Sequence, residues 1–206
     1  MISAETFFDI TTWAIKILFW AGLLPQLLLN RRQHSTRGMS GLMLWGYFNG
    51  YLMATFYVFC LNLPIAYKFM VPVSLLTVSV MVAQRFIYDK DFGQLWYYAG
   101  SLIIGFIGIP LAFSNAALVG NLFGWASVFI WAFYQLPQIF KIYFEKRVVG
   151  FSFLLVSAIG IANLTETGIA VWFGFPTQSV LSGLRGGLIY AVFCTQFMLY
   201  RKNGYN

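Results

Sequence analysis

Leu24-Pro25-Gln26-Leu27 and Leu136-Pro137-Gln138-Ile139 decide the fold of this chain. Each sets a proline inside a long apolar run, and the two lie 112 residues apart. At the same offset Gly38-Met39-Ser40-Gly41-Leu42 falls on Gly150-Phe151-Ser152-Phe153-Leu154. Two separate matches at one spacing mark an internal duplication.

The surrounding composition says where such a duplicated unit lives. Of 206 residues, 60% are hydrophobic and 9% charged, and the mean hydropathy is +0.74. A water-facing domain carries about 25% charged residues. A bilayer asks for about 20 apolar residues per helix, so seven spans with short links use nearly the whole chain. The spans are expected at 9–30, 40–61, 65–88, 94–113, 117–143, 151–173 and 177–200. Their breaks are the polar Arg31–Arg37 link, Asn62/Pro64, Asp89-Lys90-Asp91, Ser114-Asn115, Glu145-Lys146-Arg147 and Pro176. Glu5 and Asp9 stand where a cleavable leader would be basic, so the first apolar run is expected to stay.

The net charge of +7 is concentrated in short loops, which argues for membrane orientation rather than nucleic-acid binding. Ten of the 13 basic residues fall after spans one, three and five or at the C-terminus. Lys68 alone lies on the opposite side, and Lys16 and Arg185 are within spans. This bias predicts an outside N-terminus and a cytoplasmic C-terminus. Cys60 and Cys194 are then at opposite faces, too far apart for a disulfide.

Three spans per unit start successive units on opposite sides of the membrane, and an odd linker span restores the orientation. The expected organisation is all-α in a three-plus-one-plus-three plan. Residues 1–90 form the first three-helix repeat, 91–115 the linker span, and 116–206 the second repeat. This is a parallel repeat about an axis along the membrane normal.

Leu-Pro-Gln late in a first helix, a basic loop and Gly-x-Ser opening the next helix resemble the PQ-loop superfamily. That superfamily includes SWEET sugar transporters, cystinosin, lysosomal cationic amino-acid exporters and, more distantly, the KDEL receptor. The resemblance implies alternating access, with Pro25 and Pro137 as hinges and Gln26 and Gln138 beside them at an inner gate. Residue chemistry agrees. An interior proline frees a carbonyl and bends its helix, and the adjacent glutamine can supply replacement hydrogen bonds within the bundle. A static packing kink is the other reading of the same residues.

Ionisable groups inside spans cost roughly 2.5–3.5 kcal/mol each and point to function. At a rise of ~1.5 Å per residue, Lys16, Glu166 and Arg185 lie about 10, 12 and 13 Å from the outer surface, in one layer. Glu166 and Arg185, on consecutive antiparallel helices, are the expected ion pair. Lys16 either snorkels outward or adds positive charge that accepts a carboxylate. Burial favours the protonated form of Glu166 and a nearby cation the carboxylate, which makes it a proton-carrier candidate. Asn163, one turn before Glu166, shares its face, with Asn49 as a first-half counterpart. Trp45, Trp125, Trp131 and Tyr134 read as packing or interface aromatics, and Gly183, Gly186 and Gly187 as close-packing positions.

No Cys/His cluster has metal-ligand spacing and no glycine-rich phosphate loop appears, so no cofactor and no enzymatic activity are expected. The expected function is secondary transport of a small polar solute, an amino acid or similar zwitterion or anion ahead of sugar. A ligand-binding receptor that does not cycle is the alternative on the same fold. The lipid bilayer and the solute are the expected partners. A monomer suffices, and a homo-oligomer is left open. Short loops and tail favour a bacterial cytoplasmic membrane over a lysosome.

Overall fold

The computed structural model describes residues 4–174 and 177–200. Pro176, Arg201 and Lys202, to which the sequence assigns a break and cytoplasmic charge, lie outside the described residues. Seven membrane-length helical segments appear among the described residues. They are α1 (Ala4–Gln33), α2 (Gly41–Cys60), α3 (Ile65–Gln84), α4 (Leu95–Ser114), α5 (Ala116–Phe133) continuing into α6 (Leu136–Glu145), α7 (Phe153–Trp172) and α8 (Thr177–Tyr200). The chain is an integral, multi-pass membrane protein. Five of the segments are long and apolar enough to qualify as spans on hydropathy alone. The other two, α2 and α8, are 20 and 24 residues long. They carry the tyrosines, glycines, Asn49 and Arg185 that lower their apolarity, and they supply part of the interior described below.

Within the first repeat α3 packs against both α1 and α2; within the second, α8 packs against both α5 and α7. The repeats meet reciprocally, α1 on α7 and α2 on α5. The linker α4 rests on α2 and α5. Trp96, Phe106 and Phe113 on α4 are among many large apolar side chains left exposed. An outward apolar surface of this extent fits lipid rather than water.

The two Pro-Gln motifs adopt different backbones. α1 runs unbroken through Pro25. The fifth span, expected as one helix, is divided by a turn at Tyr134-Gln135, and Pro137 starts its second piece near the N-terminus of α6. A proline is tolerated in the first helical turn, where its missing N–H has no partner to lose. The second motif therefore relieves locally what the first holds inside a continuous helix.

Local chemistry ends several helices. Asn115 caps α5, its Oδ1 accepting from Leu118 N at 3.0 Å, and Ser152 caps α7 through Leu155 N at 3.2 Å. At the end bearing the Pro-Gln motifs, Asp89 accepts from Ser35 Oγ at 2.9 Å and Thr36 N at 3.0 Å. That ties the first loop to the end of α3. Arg85 pairs with Asp91 at 2.7 Å.

Candidate functional site

Gln26 and Gln138 do not repair their own helices. Each reaches across to the other repeat. Gln26 Nε2 donates to Gly150 O at 2.9 Å, and its Oε1 accepts from Ser152 N at 2.7 Å. Gln138 Nε2 donates to Gly38 O at 3.0 Å, and its Oε1 accepts from Ser40 N at 2.6 Å. The hydrogen bonds expected of these glutamines within the bundle therefore run between the repeats. A side-chain amide has one donor end and one acceptor end, and each Gly-x-Ser turn offers the complementary pair of main-chain groups. Both glutamines are fully buried.

Gly38 and Gly150, equivalent at the 112-residue offset, touch each other where the clamps meet. A Cβ on Gly38 would fall on the Gly150 carbonyl, and one on Gly150 (φ +75°) would come within 2.9 Å of Gly38 Cα. Contact between equivalent residues places this point on the pseudo-twofold axis. A third equivalent pair, unnoticed in the sequence, supports each motif from the third helix. Gln84 Nε2 donates to Leu27 O at 3.2 Å, and Gln196 Nε2 to Ile139 O at 2.9 Å. In the first repeat Asn30 completes the network, accepting from Gln26 at 2.8 Å and donating to Gln84 Oε1 at 3.2 Å. Its equivalent is Ile142, which leaves Gln196 Oε1 buried without a partner.

Away from the clamps, the repeats line a partly open cavity of about 110 Å³. Five equivalent pairs line it: Lys16/Val128, Phe19/Trp131, Tyr47/Ile159, Tyr51/Asn163 and Ala54/Glu166. The cavity therefore also lies on the pseudo-axis, at the repeat interface where transporters of this architecture bind solute. Gly46 and Gly50 of α2 open its wall to aromatic rings. A Cβ on Gly50 would stand 2.8 Å from Trp131, and one on Gly46 would collide with Tyr134. Trp131 and Tyr134, expected as packing or interface residues, line the cavity and meet Tyr51 and Tyr47 at centroid distances of 5.0 and 4.6 Å.

Lys16, Glu166, Arg185 and Asn163 all reach this cavity, but they pair differently from expectation. Glu166 Oε1 accepts from Lys16 Nζ at 2.5 Å and from Tyr67 OH at 2.8 Å. The ammonium also lies 3.8 Å from the Tyr67 ring centroid. The expected Glu166–Arg185 pair is absent, and Lys16 turns inward rather than snorkelling. The helix face explains the exchange. Asn163 and Thr167 of α7 fill the notches at Gly186 and Gly183 of α8, which turns Glu166 toward α1 and α3. The α8 glycines do serve close packing.

Arg185 faces the broken fifth span instead. Its NH1 donates to Gln135 Oε1 at 3.3 Å, and Cζ stands 5.5 Å over the Tyr134 ring. Asn49 stands apart from the cavity, its amide donating to Trp45 O at 2.9 Å within α2. At the 112-residue offset the counterpart of Asn163 is Tyr51, and Asn49 has a different place. Asn163 itself donates to Ile159 O at 2.7 Å.

No curated protein matches the chain by sequence. A eukaryotic SWEET transporter solved at 3.7 Å has a similar fold, with a TM-score of 0.65 and 13% identity over 95% of this chain and 99% of that one. The model of the PQ loop repeat matches residues 8–67 and again 119–179. These two segments cover more than half the sequence and coincide with the two halves that the clamps join: the chain belongs to the PQ-loop repeat family.

Proposed function

We propose that the protein is a secondary transporter of a small polar solute, working by alternating access about the pseudo-twofold axis. The observation that carries this reading is a cavity on that axis, largely apolar and aromatic with Lys16, Glu166, Asn163 and Arg185 in its lining, and a different lock at each end. One lock is the buried Lys16–Glu166–Tyr67 cluster, which joins the first repeat to the second. The other is the reciprocal clamp of Gln26 and Gln138 on the two Gly-x-Ser turns. A solute exchanges between two sides when one lock opens while the other holds. Pro25 and Pro137 are the proposed hinges, one inside the unbroken α1 and one just past the α5–α6 turn.

Charge bias assigns the clamp end to the cytoplasm and the Lys16–Glu166 end to the outside. Lys16, Asn163, Glu166 and Arg185 are the proposed solute-contacting residues, with amino acids, similar zwitterions and anions ahead of sugars. Glu166 is the proposed proton carrier, because a carboxyl held between a cation and a hydroxyl can exchange a proton as those partners move away. The SWEET-like fold agrees with transport.

Proteoliposomes holding the purified chain test this. Labelled solute is expected to exchange in counterflow, faster with an imposed pH gradient, and Glu166→Gln is expected to remove the pH effect. Solute binding without any exchange would instead identify a receptor.

A further inference from the structure

The charges around the cavity do not balance. The chain has six acidic residues, and among the described residues Glu166 alone of them lines the cavity. It is committed to Lys16 at 2.5 Å. Arg185, which also lines the cavity, has no carboxylate within ion-pair distance among the described residues. Its guanidinium cannot shed its proton to escape burial, as a lysine can. The Gln135 amide oxygen, the Tyr134 hydroxyl and the Tyr134 ring face answer it in part, none of them with a full negative charge. Its Nε is buried with no hydrogen-bond partner. The symmetry-related contact offers no anion either, because the positions equivalent to Lys16 and Glu166 are Val128 and Ala54.

We propose that the missing anion is the solute itself: Arg185 receives the carboxylate of a small monoanion. This rests on reading the cavity as the solute site and narrows the class that enters it. With Lys16 and Glu166 cancelling, the cavity holds one net positive charge. A monoanion neutralises it, a zwitterion leaves it unchanged, and a neutral polyol leaves the guanidinium without a charged partner. In a low-dielectric site that order is the order of affinity. Carboxylate geometry also matches the planar fork of arginine better than a point cation. Size agrees. A cavity of 150 Å³ holds benzene, so one of about 110 Å³ takes a solute of roughly six non-hydrogen atoms or fewer. Lactate and acetate fit that bound, and a hexose does not.

Equilibrium binding to the purified full chain tests the proposal, by thermal shift and by labelled lactate. The probes are lactate and acetate, then alanine and glycine, then glycerol and glucose. Lactate is expected to bind at least about tenfold tighter than alanine, with glycerol and glucose inert at the same concentrations. Arg185→Gln is expected to weaken lactate by about 30-fold or more while the ligand-free Tm holds or rises, since a lone buried charge is removed. Arg185→Lys should fall between the two.

Alanine or glycerol matching lactate would overturn the proposal, as would a wild-type chain that binds no carboxylate. A lactate affinity in Arg185→Gln within threefold of wild type would do the same, and so would a lower ligand-free Tm, which marks a structural role. Should Arg185→Gln fail to fold, wild-type lactate affinity in Arg185→Lys overturns it. Lactate binding without counterflow would refute transport and keep Arg185 as the receptor. Glycerol counterflow without lactate binding would do the reverse.

Discussion

Removing either member of the Lys16–Glu166 pair is expected to destabilise the protein strongly, and removing both is expected to cost little. The pair is 2.5 Å long with side chains about one-tenth exposed. At an effective dielectric constant near 20, two unit charges at that distance attract by about 6–7 kcal/mol. Taking both from water costs several kcal/mol per ion, so the pair as a whole comes out near neutral. Glu166→Leu cancels the attraction and leaves the Lys16 ammonium buried beside the Tyr67 and Phe19 rings. The expected loss is about 3–5 kcal/mol, or a fall in Tm of roughly 6–20 °C for a chain of this size.

Lys16→Met leaves the carboxylate buried beside Tyr67 OH without its cation, and a loss of similar size is expected. Lys16→Met/Glu166→Leu should return to within about 1 kcal/mol of wild type or exceed it. A double-mutant cycle from reversible urea unfolding in micelles, followed by circular dichroism, measures the coupling, expected at about 3 kcal/mol or more. Additive single effects below about 1 kcal/mol would show that water screens the pair. The outer lock would then have to be some other contact.

The clamp supports three further expectations. Gln26→Ala and Gln138→Ala each orphan buried main-chain groups and should cost about 1–3 kcal/mol by thermal unfolding; Gln26→Ala is the dearer because Asn30 also loses its donor. Gly38→Ala puts a Cβ onto the Gly150 carbonyl, so the clamp end should stay apart. Maleimide labelling of Ser40→Cys, with Cys60 and Cys194 replaced, should quicken by about tenfold, the rate change for some 1.4 kcal/mol of opening. Asn30→Ile copies the second repeat's side chain into the first and removes the donor to Gln84 Oε1. It should lower stability by about 1–3 kcal/mol in urea unfolding.

Much of the fold was legible because its signals are one-dimensional. Span length, charged breaks and a fixed offset need only counting, and seven spans in two repeats follow from them. The turn at Tyr134-Gln135 was not legible, since Pro25 sits in an equivalent motif and leaves α1 intact. What differs is packing: Gly22 approaches Ala158, whereas its equivalent Tyr134 fills the notch at Gly46. Depth estimates brought Lys16, Glu166 and Arg185 to a common cavity but misassigned the partner of Glu166. Rise per residue gives height and says nothing about which way a helix is turned. The turn of α7 is set by Asn163 and Thr167 against two α8 glycines. The offset, carried past the motifs, would have exposed Gln84/Gln196 and the five lining pairs, Trp131 included.

Agreement and disagreement between the repeats divide the molecule by task. Five identical equivalent pairs (Pro25/Pro137, Gln26/Gln138, Gly38/Gly150, Ser40/Ser152, Gln84/Gln196) sit at the proposed hinges and the clamp. A device that closes on a twofold axis works best when both halves present the same groups to each other. Where the repeats differ, they make the cavity. Lys16 faces Glu166 at one contact, while the equivalent contact holds Val128 and Ala54, and Arg185 has Val73 for its equivalent. A symmetric copy of the charged pair would close both sides of the cavity with ions and leave no face for apolar parts of a solute. One-sided charge would give a carboxylate solute a single direction in which to point. On the proposed transport reading, symmetry serves the movement and its breaking serves recognition. Substitutions at the identical positions should therefore change how fast the protein opens, and those at the unlike positions should change what it admits.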